Sequence, residues 1–278
     1  MSHETQPVFI IGSGRCGTRA FYKLLAGLDG VEAHHEYVCT HIQPVAAKYF
    51  MGLIDKKKAA LAFKKLHGAA ITYSPGRIWI DSSNKLTWLI EPILEVYPNA
   101  KFLALVRDGR KVTASFYYKL GPEIYDDESV AIMQRWLVNP RKYPEPPPEK
   151  KYWWNIPQPG QEFYEDFKNF NQFERICYHW YMSNKFLVDH LSPLPEQQKK
   201  IVLFEDVIKS PDLLKETLSF IGIPYDDIYY DLLQKPQNVF YPLDFQLTRT
   251  QQAKFDQICS PMMKEFGYNK RESYVVHY

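Results

Sequence analysis

Three glycines, Gly12, Gly14 and Gly17, fall within six residues, with Ser13, Arg15 and Cys16 between them and Thr18 and Arg19 directly after. Such a run is built to hold an anion. Glycines let backbone N–H groups converge on one point, a following helix start adds partial positive charge there, and the two arginines add full charges. A phosphate is the natural ligand, but the loop fits neither common phosphate pattern. The triphosphate motif G-x-x-x-x-G-K-[ST] is met at Gly12 and Gly17, yet Thr18 stands where the lysine belongs. The dinucleotide motif G-x-G-x-x-G is met by its glycines, yet the acidic residue expected on a second strand is replaced by the Glu32 to Glu36 stretch with its histidines. The cation has moved into the loop, to Arg15, where a guanidinium lies alongside the anion.

A second stretch repeats this logic. Arg107 closes an apolar run at 101–106, and Ser115 follows two helical turns later, so both are expected to address one anion at the same edge of a sheet. Two anion sites at neighbouring strand ends fit a ligand with two separated phosphates. Candidates for moving a proton nearby are His34, His35, Glu36 and His41. A histidine titrates near neutrality, whereas a glutamate partly desolvated beside Tyr37 can be tuned to the same task.

The elements that must position these residues follow from the apolar pattern. Largely apolar runs at 8–11, 78–81, 101–106 and 201–204 predict buried strands, and 3.6-periodic stretches between them predict helices. Strands alternating with helices predict an α/β fold, a mainly parallel central sheet flanked by helices, of the phosphate-loop nucleotide-binding type. No Gly/Ser linker divides the 278 residues, so one domain over 1–278 is expected, interrupted at about 121–171 by a segment rich in Pro, Tyr, Trp and Glu. That segment reads equally as a lid or acceptor wall and as an exposed insertion. With 34 basic and 32 acidic residues there is no global field for nucleic acid or a membrane surface. The four cysteines show no metal spacing, and residues 1–6 are polar with no membrane-length apolar run anywhere. A reduced, cytoplasmic protein is expected.

Taken together, Gly12 to Thr18, the run Leu105-Val106-Arg107-Asp108-Gly109-Arg110 with Ser115, and Val202 to Asp206 with Phe220 to Pro224 resemble the sulfotransferase family over residues 8–120 and 172–267. The wording Arg-Asp-Gly-Arg and the pair Asn84-Lys85 are most similar to the protein-tyrosine sulfotransferases. The resemblance implies 3′-phosphoadenosine 5′-phosphosulfate as donor. It implies a 5′-phosphosulfate site from Gly14, Arg15, Cys16, Gly17, Thr18 and Arg19, and a 3′-phosphate site from Arg107 and Ser115. It also implies a catalytic glutamate 21 positions after the loop arginine, which is Glu36. Sulfuryl transfer needs a base for the acceptor's proton and positive charge on the leaving oxygen. Glu36, or else His35, would serve as the base, and Arg15 and Lys85 would supply the charge. Fixed cations suffice for that chemistry, so no metal is expected. The acceptor is read only as a small molecule or peptide with a hydroxyl or amine, with no nucleic acid and no membrane; the oligomeric state is not read. A kinase-like phosphotransferase and a catalytically silent nucleotide-binding module are the competing readings.

Overall fold

The computed structural model describes residues 5–234 and 246–272; most of the polar run at 1–6 lies outside them. Among the described residues, five strands form one sheet: β1 (Gln6–Ile11), β2 (Val31–His35), β3 (Ile78–Ser82), β4 (Lys101–Val106) and β5 (Lys199–Leu203). Their order is β2-β3-β1-β4-β5, and every pairing is parallel. All five carboxyl ends therefore open on one edge, where ligands of such sheets bind.

The apolar runs are continuous because both faces are covered. From β1, Val8 and Ile10 join one core and Phe9 and Ile11 the other. The first core is closed by α1 (Thr18–Leu25), by the helices that follow β5, α9 (Phe204–Val207) and α10 (Pro211–Phe220), and by α11 (Asp227–Gln234). The second is larger. It collects α2 (Cys39–Phe50), α3 (Lys56–Thr72), α4 (Ile90–Val96), α5 (Gly109–Leu120), α6 (Asp127–Val138), α7 (Tyr164–Phe167), α8 (Gln172–Leu191) and α12 (Arg249–Glu265).

Two elements depart from the sequence reading. Residues 31–35 are a full strand at the sheet edge, although Val-Glu-Ala-His-His lacks an apolar run; each of its residues is half-buried. The 121–171 segment is also more ordered than its composition implies. It contains α6, capped by the Asp126 carboxylate on the Ser129 N–H and burying Val130, Met133 and Trp136. Trp153, Trp154 and Ile156 of the same segment sit in the larger core. Apolar burial has organised a stretch in which scattered prolines hide the helical period.

Candidate active site

The β1–α1 loop is bent into a shape that few residues permit. Gly17 has φ +107°, and a Cβ there would lie 2.3 Å from the Phe204 ring. Gly14 has φ +84°, and its Cβ would meet the Asn84 amide at 2.7 Å. Glycine is required at both for conformation and for room. Arg15, between them, is itself left-handed at φ 55°.

Side chains from four other elements fix this loop. Thr87 Oγ1 accepts from the Gly12 N–H at 3.0 Å and donates to the Gly12 carbonyl at 2.8 Å. Ser82 Oγ donates to the Thr18 carbonyl at 2.6 Å, and Arg107 Nη1 donates to the Arg15 carbonyl at 3.1 Å. His179, buried on α8, donates from Nε2 to the Ser13 carbonyl at 2.9 Å. Burial, with the Lys85 charge adding to it, lowers His179 to about 4, so the ring is neutral and holds this tautomer. With carbonyls tied down in this way, the loop is organised before any ligand arrives.

Three cations gather at the second strand end. Arg15 Nε donates to Ser115 Oγ at 3.0 Å, joining the residues of the two motifs directly. Arg107 lies beside them, its guanidinium 5.7 Å from the Phe204 ring centroid and 3.9 Å from Glu205. Lys119, one turn beyond Ser115, is the third. Burial lowers its pKa, and the Arg15 and Arg107 charges lower it further. Like charges crowded around one hydroxyl are a site for an anion. Arg107 is spared for it because Asp108 is occupied by Arg110, which donates from Nε at 3.0 Å and Nη2 at 2.7 Å. Asp108 also caps α5 through the Arg110 N–H at 2.9 Å. Glu205 in turn is held by the Asp108 N–H at 3.1 Å and the Tyr268 hydroxyl at 2.6 Å.

Glu36 follows β2 in a left-handed conformation, φ 55°, its N–H donating to the Ser82 carbonyl at 3.1 Å. Its carboxylate forms an ion pair with Lys150. Burial pushes Glu36 up, but Lys85 and Lys150 outweigh that and hold it below the usual carboxylate range. Lys85 is buried, its Nζ 5.1 Å from the Trp154 ring centroid. Burial lowers it to about 8 even with Glu36 pulling the other way. The strap carrying Lys150 is anchored by Gln43 of α2, whose amide donates to the Lys150 carbonyl at 3.0 Å and the Trp153 carbonyl at 2.6 Å. A small cleft beside Lys85 is walled by Trp88, Trp153, Trp154, Asn155 and His179.

The remaining candidates divide. His35 donates from Nδ1 to the Ser82 carbonyl at 2.8 Å and stacks on Tyr22 at 5.6 Å. His34 pairs with Glu32 at 3.0 Å, and His41 is exposed. The Cys16 side chain is fully buried against the loop and its thiol is pushed up by that burial, so the helix start does not activate it. Thr18 is nearly buried, and Arg19 is exposed on the first turn of α1. Arg15 is turned toward Ser115, on the side of Arg107. Sequence reasoning missed Thr87, Lys119, Lys150 and His179. Only Lys119 left a local signal, its one-turn spacing from Ser115.

A parallel sheet with a glycine loop, crowded cations and a carboxylate along its carboxyl edge defines a phosphate-loop-like α/β protein with a candidate anion site. Residues 7–143, just under half of the chain, match the model of the Sulfotransferase family, and this segment carries both of the strand ends described above. A sulfotransferase from Mycobacterium avium superposes with a TM-score of 0.54 at 10% identity, over 95% of this chain and 78% of that one. The sulfotransferase domain of an olefin synthase from Synechococcus PCC 7002 superposes with a TM-score of 0.50 at 12% identity, over 98% of both chains. At such identities the likeness is one of fold, and the fold is sulfotransferase-like. No curated protein sequence matches the chain.

Proposed function

We propose that the protein transfers the sulfuryl group of 3′-phosphoadenosine 5′-phosphosulfate to a hydroxyl or amine of a small-molecule or peptide acceptor, with Glu36 as general base. The observation that carries this reading is the pair of anion-receptive strand ends, joined through Arg15 and Ser115, with a carboxylate flanked by two lysines at the same sheet edge. In the reaction the acceptor oxygen or nitrogen bonds to sulfur while the bond from sulfur to the 5′-phosphate oxygen breaks. That bond's electron pair stays on the phosphate, giving adenosine 3′,5′-bisphosphate, and the acceptor's proton passes to Glu36.

Each residue has a part in this scheme. The backbone of Gly14 through Thr18 and the Arg19 charge would hold the 5′ group, and Arg107, Ser115 and Lys119 the 3′ phosphate. Arg15, bonded to Ser115, is assigned to the phosphates between these sites, and Lys85 to the leaving oxygen. The buried aromatic strap of the 121–171 segment supports its role as the acceptor wall of a single domain. Calorimetry with adenosine 3′,5′-bisphosphate, with Mg-ATP as the control, tests the donor. Tight bisphosphate binding is expected, and preference for Mg-ATP would return the protein to the kinase-like reading. Glu36→Gln should leave bisphosphate binding intact and lower donor turnover by about 10²–10⁴-fold across a panel of phenols, alcohols, sugars and amines. Turnover unchanged in that variant would remove Glu36 from the role of base.

A further inference from the structure

Asp81 occupies a position where the β3 pattern calls for an apolar side chain. Alternation along β3 puts it on the same face as Trp79, and it is fully buried, paired in register with Phe9 of β1 and His34 of β2. A buried carboxylate is costly unless its oxygens are satisfied. One oxygen, Oδ1, accepts the backbone N–H of Tyr37 at 3.1 Å. The other lies 3.6 Å from Nε2 of His67, also fully buried, which stacks on Phe63 with 4.4 Å between centroids. Burial raises the Asp81 pKa against the pull of His67, the Tyr37 amide and His34. Neither of these titratable groups touches the candidate site, and the core would pack more stably with hydrocarbon in their place.

What they do touch is the turn that presents Glu36. Tyr37 lies between two non-glycine residues in the left-handed region, Glu36 at φ 55° and Val38 at φ 43°. For a β-branched residue such as Val38 this conformation is a true outlier. Strain of this kind persists only where the surroundings over-determine it. The Tyr37 amide is held by Asp81, and its ring is held by His34, His67 and Trp79 at 4.9, 5.4 and 5.7 Å. We infer that Asp81, steadied by His67, is a positioning residue that locks the strained Glu36–Val38 turn and so keeps the Glu36 carboxylate between Lys85 and Lys150. The inference rests on Glu36 being the base only for its functional meaning; the positional claim stands on its own observables.

The two ways Asp81 could act differ in sign. If it acted only as a charge, deleting it would remove an anion near Glu36 and push the Glu36 pKa further down. If it acts by position, deleting it frees the turn, carries Glu36 away from its lysines, and lets its pKa rise toward the ordinary glutamate value. Carbon-13 NMR of the Glu36 carboxyl and hydrogen exchange at the Tyr37 amide read this directly in the full-length protein. Asp81→Ala should raise the Glu36 titration midpoint and speed Tyr37 exchange by about 10- to 100-fold, the loss of one charge-assisted hydrogen bond. Asp81→Asn keeps a carbonyl acceptor for the Tyr37 amide and should rescue the exchange rate to within about threefold of the native value, with no rise in the Glu36 midpoint. An Asp81→Ala protein in which Glu36 moves down or stays, or in which Tyr37 exchange is unchanged, would overturn the inference. Should Asp81→Ala fail to fold, the native protein still decides: a Tyr37 amide exchanging at the rate of an unprotected peptide would overturn it, and a protected amide with rescue by Asp81→Asn supports it. Failure of the base reading shows elsewhere, as undiminished donor turnover in Glu36→Gln.

Discussion

Replacing Lys85 by methionine should make the protein more stable and less active at once. Lys85 is buried and its pKa falls from 10.5 to about 8, burial outweighing the attraction of Glu36. Each unit of such a shift is worth about 1.4 kcal/mol, so holding the ammonium charged in this site costs about 3 kcal/mol at neutral pH. The unfolded chain holds this proton up to pH 10.5 and the folded one only to about 8. The unfolded state therefore binds more protons in that window, and the cost is relieved as pH rises through it. Lys85→Met removes the charge without removing the hydrocarbon stem, so its advantage should be full at pH 7, roughly 5–10 °C in melting temperature, and fade toward pH 10. Thermal unfolding of both proteins from pH 7 to 10 measures this. Donor turnover in the variant should fall sharply, while native turnover should decline above about pH 8 as the ammonium is lost. A variant no more stable than the native protein at pH 7, or one whose advantage is the same at pH 10, would refute the reasoning. The stability given up at Lys85 would then have to be sought elsewhere.

Other substitutions probe the rest of the site. Arg107→Ala should weaken adenosine 3′,5′-bisphosphate binding by about 10- to 100-fold in calorimetry, since a charge-assisted contact is removed, and should flatten the dependence of affinity on salt. Gly17→Ala combines the strain of φ +107° with a Cβ 2.3 Å from Phe204, whereas Gly27 has φ +88° in open space. Urea unfolding should therefore show a larger loss for Gly17→Ala than for Gly27→Ala, the latter alone costing about 1–3 kcal/mol. Lys150→Met removes one of the cations that hold Glu36 ionised, so the acid limb of the turnover profile should move to higher pH.

The parts of the fold visible in the sequence are those whose environment is uniform along the chain. The runs at 8–11 and 101–106 read as strands because both faces of the central strands are buried, and the loop between β1 and α1 reads as an anion site because glycine spacing is a local property. β2 escaped because an edge strand buries only part of each side chain, so its apolar face is carried by Val31 and Ala33 alone, too short to read as a strand. α6 escaped because its three buried apolar residues are flanked by prolines and acids that dilute the period. The surroundings of Glu36 were invisible for a different reason. Lys150 reaches it from 114 residues away and His179 reaches Ser13 from 166, and no spacing rule reports a contact made by folding.

His179 gives the loop an unusual dependence on chain order. The loop glycines Gly12, Gly14 and Gly17, with Arg15, Glu36, Lys85, Arg107 and Ser115, lie before residue 143, where the match to the family ends. The imidazole that ties down the Ser13 carbonyl, the Glu205 that braces Arg107 and the lysine that pairs with Glu36 all come after it. During synthesis every residue of both motifs emerges before His179, Glu205 and Lys150 can reach them. A protein divided near residue 143 would thus yield one piece with both motifs and a loop held by Thr87, Ser82 and Arg107 but not by His179, and a second piece with the remaining braces and nothing to hold. The full set of contacts around the loop would return only by complementation of the two.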